Sequence, residues 1–166
     1  MVTVRSITSI DELVRVHQVI SAQFPPRRSA ASHGLEDLTA RFDHDRTLML
    51  LAESAGEIAG GALAFRAGGT VKVDVIALRP EARGLGVGRR LMETIEREAI
   101  RLGARAIYLG GASAQNRGFY WRLGFAGRRS LMQKALPSAA RASEDSLVET
   151  QSDGPGPSVF WNHRLR

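Results

Sequence analysis

The sequence predicts a mixed α/β fold in which a central β-sheet carries helices on both faces. Two observations support this fold class. Three strand-like stretches, at 47–54, 58–66 and 70–79, follow one another with only tight turns between them, which is typical of an antiparallel meander. Stretches with apolar residues at helical spacing precede and follow the meander, and such helices bury the two faces of a sheet.

Length and composition favour a single soluble domain. The chain has 166 residues, of which 43% are hydrophobic, enough for one proper core. No apolar run approaches the roughly 20 residues of a membrane span, and the N-terminus does not resemble a secretion signal. We therefore expect a cytoplasmic protein without a membrane partner.

The absence of cysteine excludes disulfides, thiolate catalysis and cysteine-based zinc sites. Four histidines are present, and none is paired at metal-ligand spacing, so we expect no metal site.

The net charge of +6 leaves three interpretations open. A nucleic-acid surface is disfavoured, because the arginines are scattered and no aromatic residues are interleaved among them for stacking. An arginine-rich solvated surface is the simplest interpretation. A third is that part of the charge serves a polyanionic small ligand.

The other elements surround the meander in a regular order. Before the meander we predict a strand at 3–8, a helix at 9–24 and a short helix at 35–42. After the meander we predict a helix from the glycines to about Leu102, a strand at 105–110, a helix at 115–123 and a strand at 128–136. Ser9 and Glu12 form a capping box at the start of the first helix. Gly103 and Gly124 stand where helices end. The order is βααβββαβαβ.

The composition changes at Pro137, which ends a predicted domain of residues 1–136. Residues 137–157 are rich in Ser, Ala, Gly and Pro, and we expect a flexible loop there. Residues 158–166 contain Val159, Phe160 and Trp161, which need burial. We predict a last strand that pairs with the chain's own sheet or with a partner's sheet, in which case the protein is a homodimer.

The stretch RGLGVG, Arg83 to Gly88, follows a predicted strand and opens a predicted helix. The first turn of a helix leaves backbone N–H groups without partners and carries partial positive charge, and glycines let an anion approach them. Arg83, Arg89 and Arg90 would reinforce such a phosphate site. Neither a Walker loop nor a dinucleotide fingerprint fits this spacing. The alternative is a glycine-rich turn that binds nothing.

At this point the sequence resembles the GNAT superfamily of N-acetyltransferases. RGLGVG matches the family's Arg/Gln-x-x-Gly-x-Gly/Ala signature, and FYWRLGF, Phe119 to Phe125, matches its second motif, Phe-Tyr-x-x-x-Gly-Phe. Both motifs lie in the expected order and elements. The resemblance implies a three-layer fold whose central sheet has about six to seven mostly antiparallel strands. In it, strand four is bulged and splayed from strand five.

The resemblance also implies acetyl-CoA as co-substrate and assigns residues to it. In the family the pantetheine arm lies in the opening beside strand four, where Ile76, Ala77 and Leu78 would line it. The pyrophosphate would lie against backbone N–H groups of the loop, made here by Arg83, Gly84, Leu85, Gly86, Val87, Gly88 and Arg89. Oxyanion stabilisation is expected from a backbone N–H near Ala77 or Leu78.

Two side chains are candidates for proton transfer. Tyr120 matches the family's tyrosine that protonates the departing thiolate, and its alternative role is a core aromatic residue. Asp74 interrupts an apolar strand and matches a position where several members carry a glutamate that works through water. Strict alternation predicts Val71, Val73 and Val75 on one face and Lys72, Asp74 and Ile76 on the other. The alternative for Asp74 is an ion pair with Lys72.

The chain departs from the family at one position. Members often carry an asparagine seven residues before the tyrosine, in contact with the cofactor, and this chain has Ser113 there. We expect either that Ser113 contacts the pantetheine or that Asn116 substitutes for it. Asn116 is explained equally well as a polar residue at the helix start.

In the family the region between the first two helices forms the acceptor site together with strand-end loops, so the resemblance implies an amine acceptor bound at residues 23–38. Arg27 and Arg28 would favour an anionic acceptor, whereas His33, Glu36 and Asp37 would favour an amine, and surface solvation explains all five. Two functions from different classes remain. One is an acetyl-CoA-dependent N-acetyltransferase, and the other is a catalytically silent acyl-CoA sensor or nucleic-acid-binding module on the same fold.

Overall fold

The computed structural model describes residues 1–23, 34–42, 46–110, 112–128 and 131–137. Three groups of predictions therefore lie outside the described residues: the flexible loop beyond Pro137, the last strand at 158–166, and the proposed acceptor contacts at Arg27, Arg28 and His33.

The central sheet has seven strands in the order β1-β2-β3-β4-β5-β7-β6. The strands are β1 (Val2–Ser6), β2 (Thr47–Ser54), β3 (Glu57–Ala67), β4 (Thr70–Leu78), β5 (Ala106–Gly110), β6 (Ala126–Arg128) and β7 (Leu131–Ala135). All neighbouring strands are antiparallel except β4 and β5, which are parallel. The mostly antiparallel sheet and its meander β2-β3-β4 are thus confirmed.

Four α-helices are described: α1 (Ile10–Gln23), α2 (Leu35–Ala40), α3 (Val87–Arg101) and α4 (Ala114–Arg122). A short 3-10 helix, Pro80–Ala82, connects β4 to the glycine loop. Pro80 cannot continue the strand ladder because it has no backbone N–H. Gly103, with φ +71°, follows α3 in the left-handed conformation that ends helices.

Helices on both faces divide the core into two clusters. Val87, Leu91 and Ile95 of α3 are fully buried and pack on one face of the sheet, which we call the α3 face. Leu13 and Val16 of α1 are fully buried on the opposite face, the α1 face. The apolar spacing in the sequence therefore predicted the buried sides of both helices correctly.

The prediction for the last part of the domain was incomplete. A single strand was expected at 128–136, whereas the chain forms a hairpin of β6 and β7. Gly127 has φ +150°, and a Cβ there would clash with the backbone of Leu131 and Met132. A three-residue strand built around a glycine has no alternating pattern, so its sequence carries no strand signal.

Strand β4 departs from the strict alternation that the sequence suggested. Leu63 pairs with Val75, but the next residue, Ala64, pairs with Val73, so Asp74 is an extra residue in a β-bulge. Val73 accordingly packs on the α3 face, and Val75 packs on the α1 face. The expectation that Val71, Val73 and Val75 share one face was wrong, because the bulge shifts the period by one residue.

The same strand separates from its neighbour. Pairing of β4 with β5 runs from Thr70–Ala106 to Val73–Leu109 and ends there. The implied bulge and splay of strand four are both present, and the bulged residue is the first one beyond the last β4–β5 pair. The edge of residues 75–78 that faces β5 therefore has no strand partner in the described chain.

Gly61 allows α1 to lie close to the sheet. A Cβ at this position would clash with the Val16 side chain and would lie 2.9 Å from the carbonyl oxygen of Leu50. We expect Gly61→Ala to lower the free energy of unfolding by about 1–3 kcal/mol, as overpacking does in a close-packed core. Denaturant unfolding measures this change.

The matched control is Gly118→Ala in the middle of α4. A Cβ there would meet only the end of the Arg122 side chain, at 3.6 Å. Helix propensity predicts that this change raises stability by about 0.5–1 kcal/mol. Equal stability of the two variants would contradict the close packing described for Gly61.

Glu12 joins the start of α1 to β1. Its carboxylate accepts hydrogen bonds from Arg5, at 2.6 Å, and from the backbone N–H of Thr8, at 2.8 Å. The Glu12 N–H in turn donates to the Ser9 Oγ at 3.2 Å, so the predicted cap forms with Thr8 rather than Ser9 as the reciprocal donor. These contacts lower the pKa of Glu12 to about 2. The hydrogen bond from Arg5 has the largest effect, and the one from the Thr8 backbone has the second largest.

A lowered pKa in the folded state stabilises the fold above the unfolded pKa of about 4.5, and this contribution disappears as the pH falls through about 2. We expect Glu12→Gln to lower the free energy of unfolding by about 1 kcal/mol at pH 7. The difference from wild type should vanish towards pH 2, as measured by unfolding at several pH values. Asp11→Asn, in the same helical turn, is the control, and an equal effect there would argue against the Glu12 contacts.

Candidate functional site

The loop between β4 and α3 has the backbone conformation that its glycines predict. Gly84 and Gly86 have φ values of +77° and +79°, in the left-handed region that side chains disfavour. Gly86 is also the N-cap of α3. No atom lies within 4 Å of a Cβ built on either residue, so both glycines face open space.

Six consecutive backbone N–H groups of this loop, from 84 to 89, donate no hydrogen bond of good geometry within the described chain. The first intrahelical bond of α3 runs from the N–H of Arg90 to the carbonyl of Gly86, at 3.1 Å. The unpaired donors lie at the positive end of a helix of 15 residues. Donors in this arrangement can hold an anionic group such as a phosphate, and we call them the backbone cradle.

Gly88 has a different role from the other two glycines. It is buried, and a Cβ there would lie 3.4 Å from the Phe119 ring and 3.5 Å from Leu78 Cδ1. Its small size thus lets the start of α3 pack against both α4 and the end of β4.

The arginines of the loop contact other parts of the protein. Arg83 donates a hydrogen bond to the Gln23 side chain at the end of α1. Arg89 lies 3.5 Å from Glu93, and Arg90 donates to the carbonyl oxygen of Val2 at 3.2 Å. The backbone groups are therefore the donors that the loop itself presents. The Gln23 contact was not predicted, because the two side chains are 60 residues apart.

The unpaired edge of β4 leads directly into this loop. Ile76 and Leu78 pack against the α3-face cluster, and Ala77 is buried in the α1-face cluster. The predicted pantetheine residues thus lie between the point where β4 leaves β5 and the loop of unpaired N–H groups. An extended ligand can contact a strand edge through the same backbone groups that another strand would use.

Tyr120 projects from α4 into a group of aromatic rings. Its ring makes edge-to-face contacts with Phe119, at 5.0 Å between centroids, and with Phe125, at 6.0 Å. Burial raises the pKa of the phenol above its usual value of 10.0. No described residue forms a hydrogen bond with the Tyr120 hydroxyl group, so the packing orients the ring and leaves the proton available.

Asp74 lies in the bulge, with 17% of its side chain exposed. Its Oδ1 is 3.1 Å from the Nζ of Lys72, whose side chain is 55% exposed. The ion pair that the sequence left open as an alternative is therefore present. Because the Lys72 side chain is largely exposed, this ion pair is weak. The Asp74 carboxylate lies at the edge of the opening.

Ser113 and Asn116 lie together at the start of α4. Ser113 is the N-cap, and its Oγ accepts a hydrogen bond from the Asn116 backbone N–H at 3.3 Å. The structure thus gives Ser113 a capping role, which sequence spacing alone did not identify.

Two cavities are found in the described chain, and one of them reaches the glycine loop. One, of about 230 Å³, is bordered by the β2–β3 hairpin, the 3-10 helix and Leu85, whose side chain is 62% exposed. The other, of about 320 Å³, lies at the β6–β7 hairpin.

Residues 13–125 match the model of the acetyltransferase (GNAT) family. This match includes the glycine loop, the bulge and Tyr120, and it covers more than half of the chain. The chain belongs to the GNAT acetyltransferase family.

Solved structures of other GNAT proteins have the same fold. PaiA N-acetyltransferase from Thermoplasma acidophilum, in complex with coenzyme A, is 16% identical, with a TM-score of 0.68 over 81% of this chain and 99% of that one. A GNAT acetyltransferase from Brucella melitensis, in complex with acetyl-CoA, is 22% identical, with a TM-score of 0.64 over 83% and 90%.

The ribosomal-protein-S18-alanine N-acetyltransferase of Escherichia coli is 21% identical, with a TM-score of 0.63 over 84% of this chain and 95% of that one. At sequence identities this low, the three structures show a shared fold alone.

Two further observations concern this GNAT chain. In the ranges that the structure describes, no three His, Asp or Glu side chains are placed to hold a metal ion together. None of the described helices has the length and apolar character needed to cross a membrane.

The cradle can be tested with Gly86→Glu, which places a bulky anionic side chain at the helix start. We expect acetyl-CoA affinity to fall by about a hundredfold or more, since the carboxylate takes the place of the ligand's phosphate and repels it. Isothermal titration calorimetry measures the change.

Gly68→Glu is the matched control. Gly68 also has positive φ, +58°, and open space around a built Cβ, but it lies in the β3–β4 turn at the other end of β4. It should bear a similar backbone strain, of about 1–2 kcal/mol, and bind acetyl-CoA as wild type does. Equal loss of binding in both variants would mean that strain, not the cradle, is responsible.

Proposed function

We propose that this GNAT protein is an N-acetyltransferase that moves the acetyl group of acetyl-CoA directly to a primary amine in a ternary complex. The observation that carries the proposal is the run of unpaired backbone N–H groups at 84–89, which continues from the unpaired edge of β4. A pyrophosphate and an extended amide-bearing arm need those two features in that order. Acetyl-CoA supplies an activated thioester.

The proposal that acetyl-CoA binds here is supported by the space around the loop glycines and by the backbone N–H groups beside them. The open space at Gly84 and Gly86 admits phosphate oxygens to the N–H groups of Leu85, Val87 and Arg89. Ile76, Ala77 and Leu78 border the arm. A backbone N–H near Ala77 or Leu78 would donate to the acetyl oxygen as negative charge develops there. The complexes of the Thermoplasma and Brucella proteins with coenzyme A and acetyl-CoA support this assignment.

Tyr120 is the proposed general acid. Transfer of the acetyl group releases a thiolate, and the Tyr120 hydroxyl gives its proton to that sulfur. The raised pKa keeps the phenol protonated throughout the neutral range, so the acid form is always present. Packing against Phe119 and Phe125 limits rotation of the ring.

Asp74 is the proposed general base, acting through a water molecule. An alkylamine with a pKa of about 10.4 is protonated at neutral pH and must lose a proton before it attacks. The carboxylate lies in the bulge at the edge of the opening, and the short Asp side chain requires the intervening water.

Substitution of Tyr120 by Phe tests the chemistry. We expect kcat to fall by about 10²–10⁴, as when a general acid is removed, while acetyl-CoA affinity and the melting temperature stay close to wild type. All three rings of the aromatic group remain, and no described hydrogen bond is lost. Thiol release with an amine panel measures kcat, and calorimetry measures affinity.

The pH profile provides an independent check on Tyr120. Because burial raises its pKa above 10.0, the alkaline decline in kcat that reports loss of the acid should lie above pH 10. A wild-type protein that binds acetyl-CoA and acetylates no amine in the panel would indicate a catalytically silent sensor. A protein that binds DNA with steep salt dependence, and without competition by acetyl-CoA, would indicate a nucleic-acid-binding module.

A further inference from the structure

Lys72 and Asp74 form a pair of opposite charges at the point where β4 and β5 separate. Asp74 Oδ1 and Lys72 Nζ are 3.1 Å apart, and the last β4–β5 pair, Val73–Leu109, lies between these residues along the strands. The Lys72 stem extends towards the end of β5, since its Cε lies 3.7 Å from a Cβ built on Gly110. The pair therefore borders the opening rather than a distant surface.

The pair lies on the α1 face of the sheet. Val71 and Val73, on either side of Lys72, are buried in the α3-face cluster, so alternation turns Lys72 to the other face. Tyr108 pairs with Lys72 in the neighbouring strand and likewise lies between two α3-face residues, Ile107 and Leu109. Tyr120, by contrast, packs against the α3-face cluster. The charged pair and the proposed acid thus approach the opening from different sides.

The two charges have consequences for which amine can bind. A lone carboxylate at Asp74 would attract any ammonium group. The Lys72 ammonium beside it repels a second positive charge, so polyamines and aminoglycosides are disfavoured. An acceptor that brings its own negative charge next to the amine removes this repulsion.

We propose that the acceptor is an α-amino acid, or a molecule with the same adjacent amine and carboxylate, and this inference rests on the proposed function. Lys72 binds the carboxylate and Asp74 receives the ammonium group. Backbone bond lengths place the nitrogen and the nearer carboxylate oxygen of an amino acid about 3 Å apart, which matches the spacing of the protein pair. The four charges then alternate in sign.

The state of the pair favours such an exchange. Because Lys72 is 55% exposed, its ion pair with Asp74 is solvated and weak, and its ammonium has donors to spare for a second carboxylate. When such an acceptor binds, its ammonium group contacts Asp74 itself, so the carboxylate removes the proton without the intervening water that other amines require. The Asp74 carboxylate then both binds the ammonium group of the acceptor and removes its proton.

The first experiment compares acceptors that share one side chain, with saturating acetyl-CoA and thiol release as readout. Phenylalanine, phenylalaninamide and phenethylamine form one such set, and leucine with its amide and amine another. We expect wild-type kcat/KM to be at least about tenfold higher for the acid than for the amide or amine of the best set, mainly through KM. This comparison needs no variant.

The second experiment uses Lys72→Met, which keeps the length of the side chain and removes its charge. The acid-to-amide ratio of kcat/KM should fall towards one, and Lys72→Arg should retain most of the preference. Lys134→Met is the control: Lys134 lies in β7, which β5 separates from β4, and pairs with Glu96 of α3 at 2.7 Å, so its loss should leave the ratio unchanged.

The outcomes separate the two proposals. If acetyl-CoA does not bind to wild type, the proposed function and this inference both fail. If acetyl-CoA binds and amides, polyamines or peptide N-termini are acetylated as well as amino acids are, the function stands and the inference is overturned. A ratio that persists in Lys72→Met also overturns it, because the carboxylate is then recognised elsewhere.

Discussion

The extra residue at Asp74 changes the direction of every side chain that follows it in β4. Before the bulge the buried valines face α3, and beyond it Val75 and Ala77 face α1. A bulge also increases local twist, so the strand turns away from its parallel neighbour instead of continuing the ladder. The splay, the free strand edge and the placement of the carboxylate all follow from this single irregularity.

The irregularity is tolerated because both faces of β4 are covered. Helix α3 buries Val87, Leu91 and Ile95 against one side of the sheet, and α1 buries Leu13 and Val16 against the other. Strand β3 pairs with β4 from Thr70 to Leu78, interrupted only at the bulge, so β4 keeps this ladder while it loses the one with β5. The groove is therefore bordered by rigid elements, which hold backbone donors in place without reorganisation.

The start of α3 is held with similar rigidity. Gly88 brings the helix against Phe119 and Leu78, and the left-handed glycines before it turn the chain so that six N–H groups remain unpaired. Unpaired donors are costly when buried and inexpensive when solvated, and the chain is open to its surroundings at Gly84 and Gly86. In the proposed reaction different groups have different roles. The backbone N–H groups of the loop hold the anionic cofactor, the buried Tyr120 phenol supplies a proton, and the Asp74 carboxylate removes one.

The sequence by itself determined most of the elements and the position of the glycine loop before α3, because helical and strand periods, caps and positive-φ glycines are local properties of the chain. The buried faces of α1 and α3 and the start of α3 behind RGLGVG follow from that local pattern. Only the tertiary structure decided which face Val75 takes, that 126–135 form a hairpin, and that Gln23 contacts Arg83. These features depend on hydrogen bonds and contacts with residues distant in sequence. A bulge is defined by the pairing of one strand with another. The sequence of β4 alone therefore does not show that Asp74 is an extra residue relative to β3.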